Sequence, residues 1–443
     1  MTFKSSLLFA KSLIFPKSDK KSSARRSLFG ALFCIGLSIV PLVVVISITN
    51  GMISGMTERI IGLSSNHLNA YVASSIRQVK SAQSFRDYAN EFYDVEGVLA
   101  VYPEVGISAL AAGKDFRTGV QLRAVDTDVF EKNHYFKELF TVVDGDLQDF
   151  INTSERKAVI GKKMSETLKL KPGDTFRIIT TKNINGKISP KLTSFKVSAI
   201  ITSGYQELDE FWIFIPLDTA YSSLSLSSAT YNVMIETPDP LATDLVRIQN
   251  DLAVKLGRYV NLYRWDQVNA AEFENFSSTK VMLVFIMMMI VLVASINIAS
   301  AIVMLVMERK KEIAILKSIG ASPSGITISF IIAGMSCGLG GLLIGIPVGL
   351  LLAVNANQLV MMMEKLVNHF AKIAYIFKGI PLEEVQQIHL MDPAYYLQNI
   401  PIDIPFSQIF LIALSTIILS FLVALIPSIK AGKEKPLDIL RKS

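Results

Sequence analysis

The chain has 443 residues, is 51% hydrophobic and carries a formal net charge of +6. Totals of that kind fit an ordinary globular chain, so the distribution of residues has to decide the class. No basic patch is interleaved with aromatics in the polar part, which argues against nucleic acid as a partner. Cys34 and Cys337 both fall in apolar runs, which excludes a disulfide framework in that polar part.

Residues 1–26 are basic. Within them Thr2–Phe15 carries Phe3, Leu7, Leu8, Leu13, Ile14 and Phe15 with Lys4 and Lys11. This predicts a short amphipathic helix in a membrane interface, ended by Pro16; a merely topogenic charged tail is the alternative. Residues 27–57 are an apolar run of spanning length. It is too long for the apolar core of a signal peptide, so we read it as a retained span. Pro41 loosens one backbone hydrogen bond within it, as a hinge or as a tolerated kink.

Residues 58–280 read as a folded α+β domain. Strands are predicted at His67–Ser74, Val98–Val105, Gln121–Val125, Thr175–Thr180, Phe195–Ile201, Phe211–Ile215, Tyr231–Thr237 and Val260–Leu262. Helices are predicted at Ser81–Tyr93, Ala158–Leu170 and Leu241–Leu256. Thr181–Ser194, which includes Asn185, Gly186 and Pro190, reads as a polar hairpin tip that projects from its two strands.

A second span is expected at 281–307. Met288 lies in its run of three methionines, whose flexible thioethers suit a surface that meets varied acyl chains. Asn297 is its most conspicuous polar residue, readable as packing glue between helices or as lining for a substrate. A charged loop follows at 308–325, then a third span at 326–354. Gly334/Gly338 and Gly341/Gly345/Gly349 in that span set small residues on one face for close helix contact. Residues 355–403 form an outer segment with a helical piece at Lys365–Phe377, a turn at Gly379–Pro381 and an aromatic patch at Pro393–Leu397. A fourth span is expected at 404–429, and the basic tail 430–443 has a short helix at Pro436–Leu440.

The charge pattern orients the spans. The segment before Ser27, the loop Met307–Ser322 and the tail after Ile429 together hold 16 basic and 5 acidic residues, out of 44 and 38 in the whole chain. By the positive-inside rule both termini and the loop lie in the cytoplasm. Residues 58–280 and 355–403 then lie outside.

Chemistry is sparse. Each Gly-Lys pair lacks the spacing of a nucleotide-binding loop, and no hydrolase or zinc-protease motif is present. The four histidines are scattered, so no metal site is expected, and no ionisable residue interrupts the spans. A membrane protein of this kind is a passive scaffold or a device driven by a partner. The loop at Met307–Ser322 bears on that choice. Arg309–Glu312 and Glu308–Lys311 can pair at i,i+3. Ile313, Leu316 and Ile319 can pack, Gly320 sits where a C-terminal cap belongs, and Ser322–Pro323 can start the next helix. A short rigid helix can transmit force, but from the residues alone a topogenic loop is equally open.

ERKKEIAILKSIGAS resembles the loop of permease subunits in the MacB/FtsX/Lol group of ABC transporters. ITNGMISGMTERIIG at the first span's exit, Tyr263–Asn269 with the second span, and SIKAGKEKPLDILR in the tail also resemble that group, most of all its lipoprotein-releasing branch. The resemblance implies a non-enzymatic permease of four spans in a bacterial inner membrane, with an external domain of porter and sabre-like parts. It implies pairing with a second permease, identical or paralogous, and with a cytoplasmic ATPase dimer that holds the ATP and Mg; no cofactor is expected on this chain. It implies Glu308, Arg309, Glu312, Ile313, Leu316, Lys317 and Gly320 as the coupling loop. Asn185, Gly186 and Pro190 would form a hook for a periplasmic lipoprotein carrier. A lipoprotein would enter from the membrane lipid between the first two spans, near Pro41, Met288 and Asn297. A MacB-like exporter of other substrates and an FtsX-like regulator of cell-wall hydrolases are the alternatives.

Overall fold

A computed structural model describes residues 3–14, 23–114, 116–152, 155–184, 187–377 and 401–433. They form two units, one apolar and helical, the other built on a sheet.

The apolar unit draws on helices α1 (Phe3–Ile14), α2 (Ser23–Arg59), α3 (Ala270–Glu308), α4 (Lys310–Ser318), α5 (Pro323–Val354), α6 (Ala356–Phe377) and α7 (Phe406–Lys433). Four of them, α2, α3, α5 and α7, are long and apolar enough to cross a membrane. The glycines of α5 make close packing possible. A Cβ on Gly341 would lie 2.6 Å from the Ile35 side chain, and one on Gly345 would lie 2.9 Å from the Gly36 carbonyl oxygen. Gly334 and Gly338 meet Ala424 and Ser420 of α7 in the same way. The expected small-residue face therefore serves three neighbours, α7 and, through Ile302 against Gly334, α3 along one stretch and α2 along the next. Buried Thr416 and Ser420 of α7 donate to carbonyls one turn back. The amide of Asn50 on α2 donates to Gln408 Oε1 of α7 at 2.8 Å.

The sheet unit contains β1 (Leu68–Val72), β2 (Ala100–Ala112), β3 (Arg117–Val125), β4 (Thr141–Gly145), β5 (Lys157–Gly161), β6 (Thr175–Ile184), β7 (Lys187–Thr202), β8 (Trp212–Pro216), β9 (Thr230–Glu236) and β10 (Val260–Arg264). The order along the sheet is β10-β1-β9-β2-β3-β8-β5-β7-β4, and β6 pairs with both β7 and β2. That second pairing closes a ring of six strands, β2-β3-β8-β5-β7-β6. Side chains alternate between two cores, as the pleat requires. Ile213, Ile215, Val233 and Ile235 join a cluster with Phe85, Phe92 and Phe176. Phe214 and Met234 turn to the opposite face, among Phe130, Phe136 and Phe150.

Two expectations are corrected here. Lys157–Gly161 is strand, and only Lys162–Leu168 of the predicted helix Ala158–Leu170 is helical. Ala158, Val159 and Ile160 are buried between β7 and β8, and a short apolar run buried on both faces has no periodicity to separate strand from helix. The supposed polar tip at Thr181–Ser194 is largely ladder, paired from Thr175↔Lys196 out to Ile184↔Lys187. The turn Gly379–Pro381, the patch Pro393–Leu397 and the helix Pro436–Leu440 lie outside the described residues.

The last residues of α2, 52–59, belong to the sheet unit. The helix gives way to a π-helical turn, Ile60–Ser65, and Asn66 follows at φ 48°. Gly62 lies against the Tyr135 ring, where a Cβ would come within 2.5 Å. Arg59 Nε donates to the Ser203 carbonyl at 2.7 Å. Buried Arg123 forks onto Glu104 at 3.0 and 2.6 Å and donates to the Leu63 carbonyl, with its guanidinium 4.4 Å from the Trp212 ring centre. His67 is also buried. Its Nδ1 accepts the Thr237 backbone N–H at 3.0 Å, so Nε2 carries the proton and donates to the Tyr135 hydroxyl at 2.8 Å. Burial pulls the His67 pKa down to about 4.

Candidate coupling site

Helix α4 is short, capped at its C-terminal end and held on one side. At that end Gly320 takes φ +96°, a conformation glycine adopts without a Cβ clash. Gly320 N–H donates to the Lys317 carbonyl at 3.0 Å and Ala321 N–H to the Leu316 carbonyl at 2.9 Å. This is the paired closure of a Schellman cap. Ser322 then caps α5: its hydroxyl accepts from Gly325 N–H at 3.3 Å, with Pro323 in the first helical turn.

The inner side of α4 is fixed. Ile313 and Ala314 are fully buried, and Ile313 joins a cluster with Leu305, Val306, Ile326 and Phe330. Lys317 Nζ donates to the Gly432 carbonyl in the last turn of α7. A Cβ on Gly432 would in turn strike Thr327 and the Pro323 carbonyl. Helix α1 packs beside them. Ser329 Oγ donates to the Ser6 carbonyl at 3.0 Å, and the Phe9 and Phe330 rings meet edge to face at 6.4 Å.

The outer side differs from the expectation. Arg309 pairs with Glu312 as expected. Ile319 does not pack: it is 79% exposed, and Ile315, four residues before it, is 53% exposed. A phase set by Ile313 and Ala314 turns Ile319 outward. Glu308, Glu312 and Gly320 share this outward exposure, whereas Leu316 and Lys317 are half-buried.

The other predicted residues do not join this site. Pro190 is exposed on β7 opposite Thr181. At that point β7 pairs only with β6, the edge setting in which a strand tolerates proline. Asn185 and Gly186 lie outside the described residues. Pro41, Met288 and Asn297 are all exposed on α2 and α3. Asn297 therefore does not glue helices together within this chain. Leu42 and Ile46 of α2, Met287 and Val291 of α3 and Ile412 of α7 share one buried cluster instead.

Two family descriptions match the chain, one after the other. Residues 28–249 match the MacB-like periplasmic core domain, and residues 284–436 match the FtsX-like permease C-terminal region. The chain belongs to the MacB/FtsX/Lol group of ABC transporter permeases. Within that group it is most like the lipoprotein-releasing LolC/LolE type. The lipoprotein-releasing system transmembrane protein LolC of Neisseria meningitidis serogroup B is 26% identical over 416 residues, 92% of each chain. LolC of Xylella fastidiosa strain 9a5c is 25% identical over 66% of each chain, and LolE of Haemophilus influenzae is 21% identical over 92% of each.

For a permease of this group, three features escaped sequence reasoning. The outward pair Ile315/Ile319 could have been found from its i,i+4 spacing had the buried phase been known. The clamp from Lys317 to Gly432 joins residues far apart in the chain, and no local pattern signals it. The amide pair Asn50–Gln408 takes the cross-helix role that the sequence assigned to Asn297. Among the described residues no group of three His, Cys, Asp or Glu side chains is placed to hold a metal.

Proposed function

We propose that this permease releases lipoproteins from a bacterial inner membrane, driven by ATP hydrolysis in a partner ATPase dimer that acts on α4. The observation that carries this reading is α4 itself: clamped on one side by Ile313 and by Lys317 on Gly432, it presents Ile315, Ile319 and the Arg309–Glu312 pair on the other. An apolar pair beside charges on a rigid helix suits a protein partner. The charge distribution supports four crossings, with both termini and α4 in the cytoplasm and the MacB-like domain outside. A second permease would complete the pathway. The exposed face of α2 and α3 that carries Pro41, Met288 and Asn297 would receive the acyl chains. The β6–β7 ribbon, with Asn185, Gly186 and Pro190, would meet the soluble carrier.

The test is reconstitution with the partner permease and ATPase in proteoliposomes. ATP-dependent release of a lipoprotein to a soluble carrier is expected. Ile319→Asp and Glu312→Lys should each abolish release while leaving membrane insertion and thermal stability unchanged, because both side chains are exposed. Intact ATPase activity with no release by the unaltered complex would refute lipoprotein transport. Normal release by both variants would refute coupling through α4.

A further inference from the structure

Helix α6 follows α5 after a single non-helical residue. Asn355 adopts φ −97° and ψ 16°. Its side chain donates to the Leu351 carbonyl at 2.8 Å, and its own carbonyl accepts from Leu359 N–H at 2.9 Å. The chain thus leaves the long apolar helix and at once starts another of 22 residues. Ala356 is buried, and Val360, Glu364, Val367 and Ala371 are half-buried, which marks the side of α6 turned toward the rest of the chain. Met362, Leu366, Phe370 and Ile373 recur at steps of four, four and three, so they share one face. All four are exposed, Phe370 by 62%. Lys365, His369 and Lys372 are exposed as well, and the helical period sets them together beside that apolar face.

This is the reverse of a helix on a water-soluble core, which turns its apolar stripe inward. We propose that α6 lies in the outer interface of the membrane. Met362, Leu366, Phe370 and Ile373 would sit in the acyl boundary, and Lys365 and Lys372 would reach phospholipid phosphates. The proposal rests on the reading of α5 as a membrane span. A helix that begins one residue after a span ends is placed where hydrocarbon gives way to headgroups. Lysines flanking an apolar face there can extend their stems along it and keep the ammonium at the polar level. Unbranched methionines adapt to mobile acyl chains.

The experiment uses the full chain with Cys34→Ala and Cys337→Ala, reconstituted in vesicles of phosphatidylcholine and phosphatidylglycerol. Nitroxide labels are attached one at a time through Met362→Cys, Leu366→Cys, Phe370→Cys, Lys365→Cys and Lys372→Cys. Leu343→Cys, on the exposed side of α5, serves as the span reference. Collisions with oxygen, which concentrates in lipid, are compared with collisions with a water-soluble nickel chelate. The expected result is a ratio favouring oxygen at 362, 366 and 370, as at 343, and favouring nickel at 365 and 372. Nickel access at 366 and 370 with oxygen still favoured at 343 would overturn the proposal and leave the span reading intact. Low collision rates with both probes at 366 and 370 would also overturn it, because protein would then cover the face. Nickel access at 343 would overturn both.

Discussion

Arg123, Glu104 and His67 show how single residues hold the chain just after α2 against the sheet. Arg123 is 3% exposed and satisfies both Glu104 oxygens and the Leu63 carbonyl. Removing one member of such a pair leaves a buried charge uncompensated, so Glu104→Ala should lower stability by about 3–5 kcal/mol. The double variant Glu104→Met with Arg123→Met should lose much less, a comparison that denaturant unfolding can make. His67 gives a pH signature. Its folded pKa, about 4, lies below the unfolded value of 6.5. Between those values the unfolded chain binds more protons, so stability rises with pH. The contribution is complete above about pH 6.5 and is lost as pH falls toward 4, amounting to about 2 kcal/mol at pH 5. The thermal midpoint of the full chain should therefore fall between pH 7 and pH 5, and His67→Gln should remove most of that fall. An equal fall in the variant would assign the effect to other groups.

Among the elements, α5 and α4 were legible in the sequence to different depths. The four-residue glycine spacing of α5 is a local pattern and predicts close packing directly. Which neighbour each glycine meets depends on where α2, α3 and α7 cross it, and no local pattern carries that. Gly341→Ala should destabilise the chain by about 1–3 kcal/mol through overpacking against Ile35. Gly30→Ala, where nothing lies within 4 Å of the added carbon, should be neutral or slightly stabilising. Thermal unfolding in detergent distinguishes the two. Around α4 the caps were readable because each acts locally: Gly320 and Pro323 through their own backbone, and Ser322 through a hydroxyl that reaches an amide three residues on. The outward turn of Ile319 was not readable, because three apolar residues at three-residue spacing drift around a helix of 3.6 residues per turn. Only the packed position of Ile313 fixes the phase. The strand Lys157–Gly161 escaped for a related reason, since burial on both faces erases alternation.

At the scale of the whole molecule, composition and the distribution of apolar residues carried most of the class: apolar runs and an α+β polar region. The ring of six strands was invisible, because it depends on three residues of β6, Arg177, Ile178 and Ile179, meeting Ala112, Ala111 and Leu110 of β2. That short contact has a mechanical consequence. A strand in an open sheet can be peeled from its edge one hydrogen bond at a time, whereas a ring has no edge from which peeling can start. Backbone amides of β3, β5 and β8 should exchange with deuterium only when the whole ring opens, at one common rate. Those of β10 and β4, each paired on one side only, should exchange earlier and independently. Hydrogen-exchange mass spectrometry of the full chain reads both rates. The six-strand ring would then yield to a pulling force as one piece or not at all, whereas β1, the strand that follows Ile60–Ser65, lies outside it between β10 and β9.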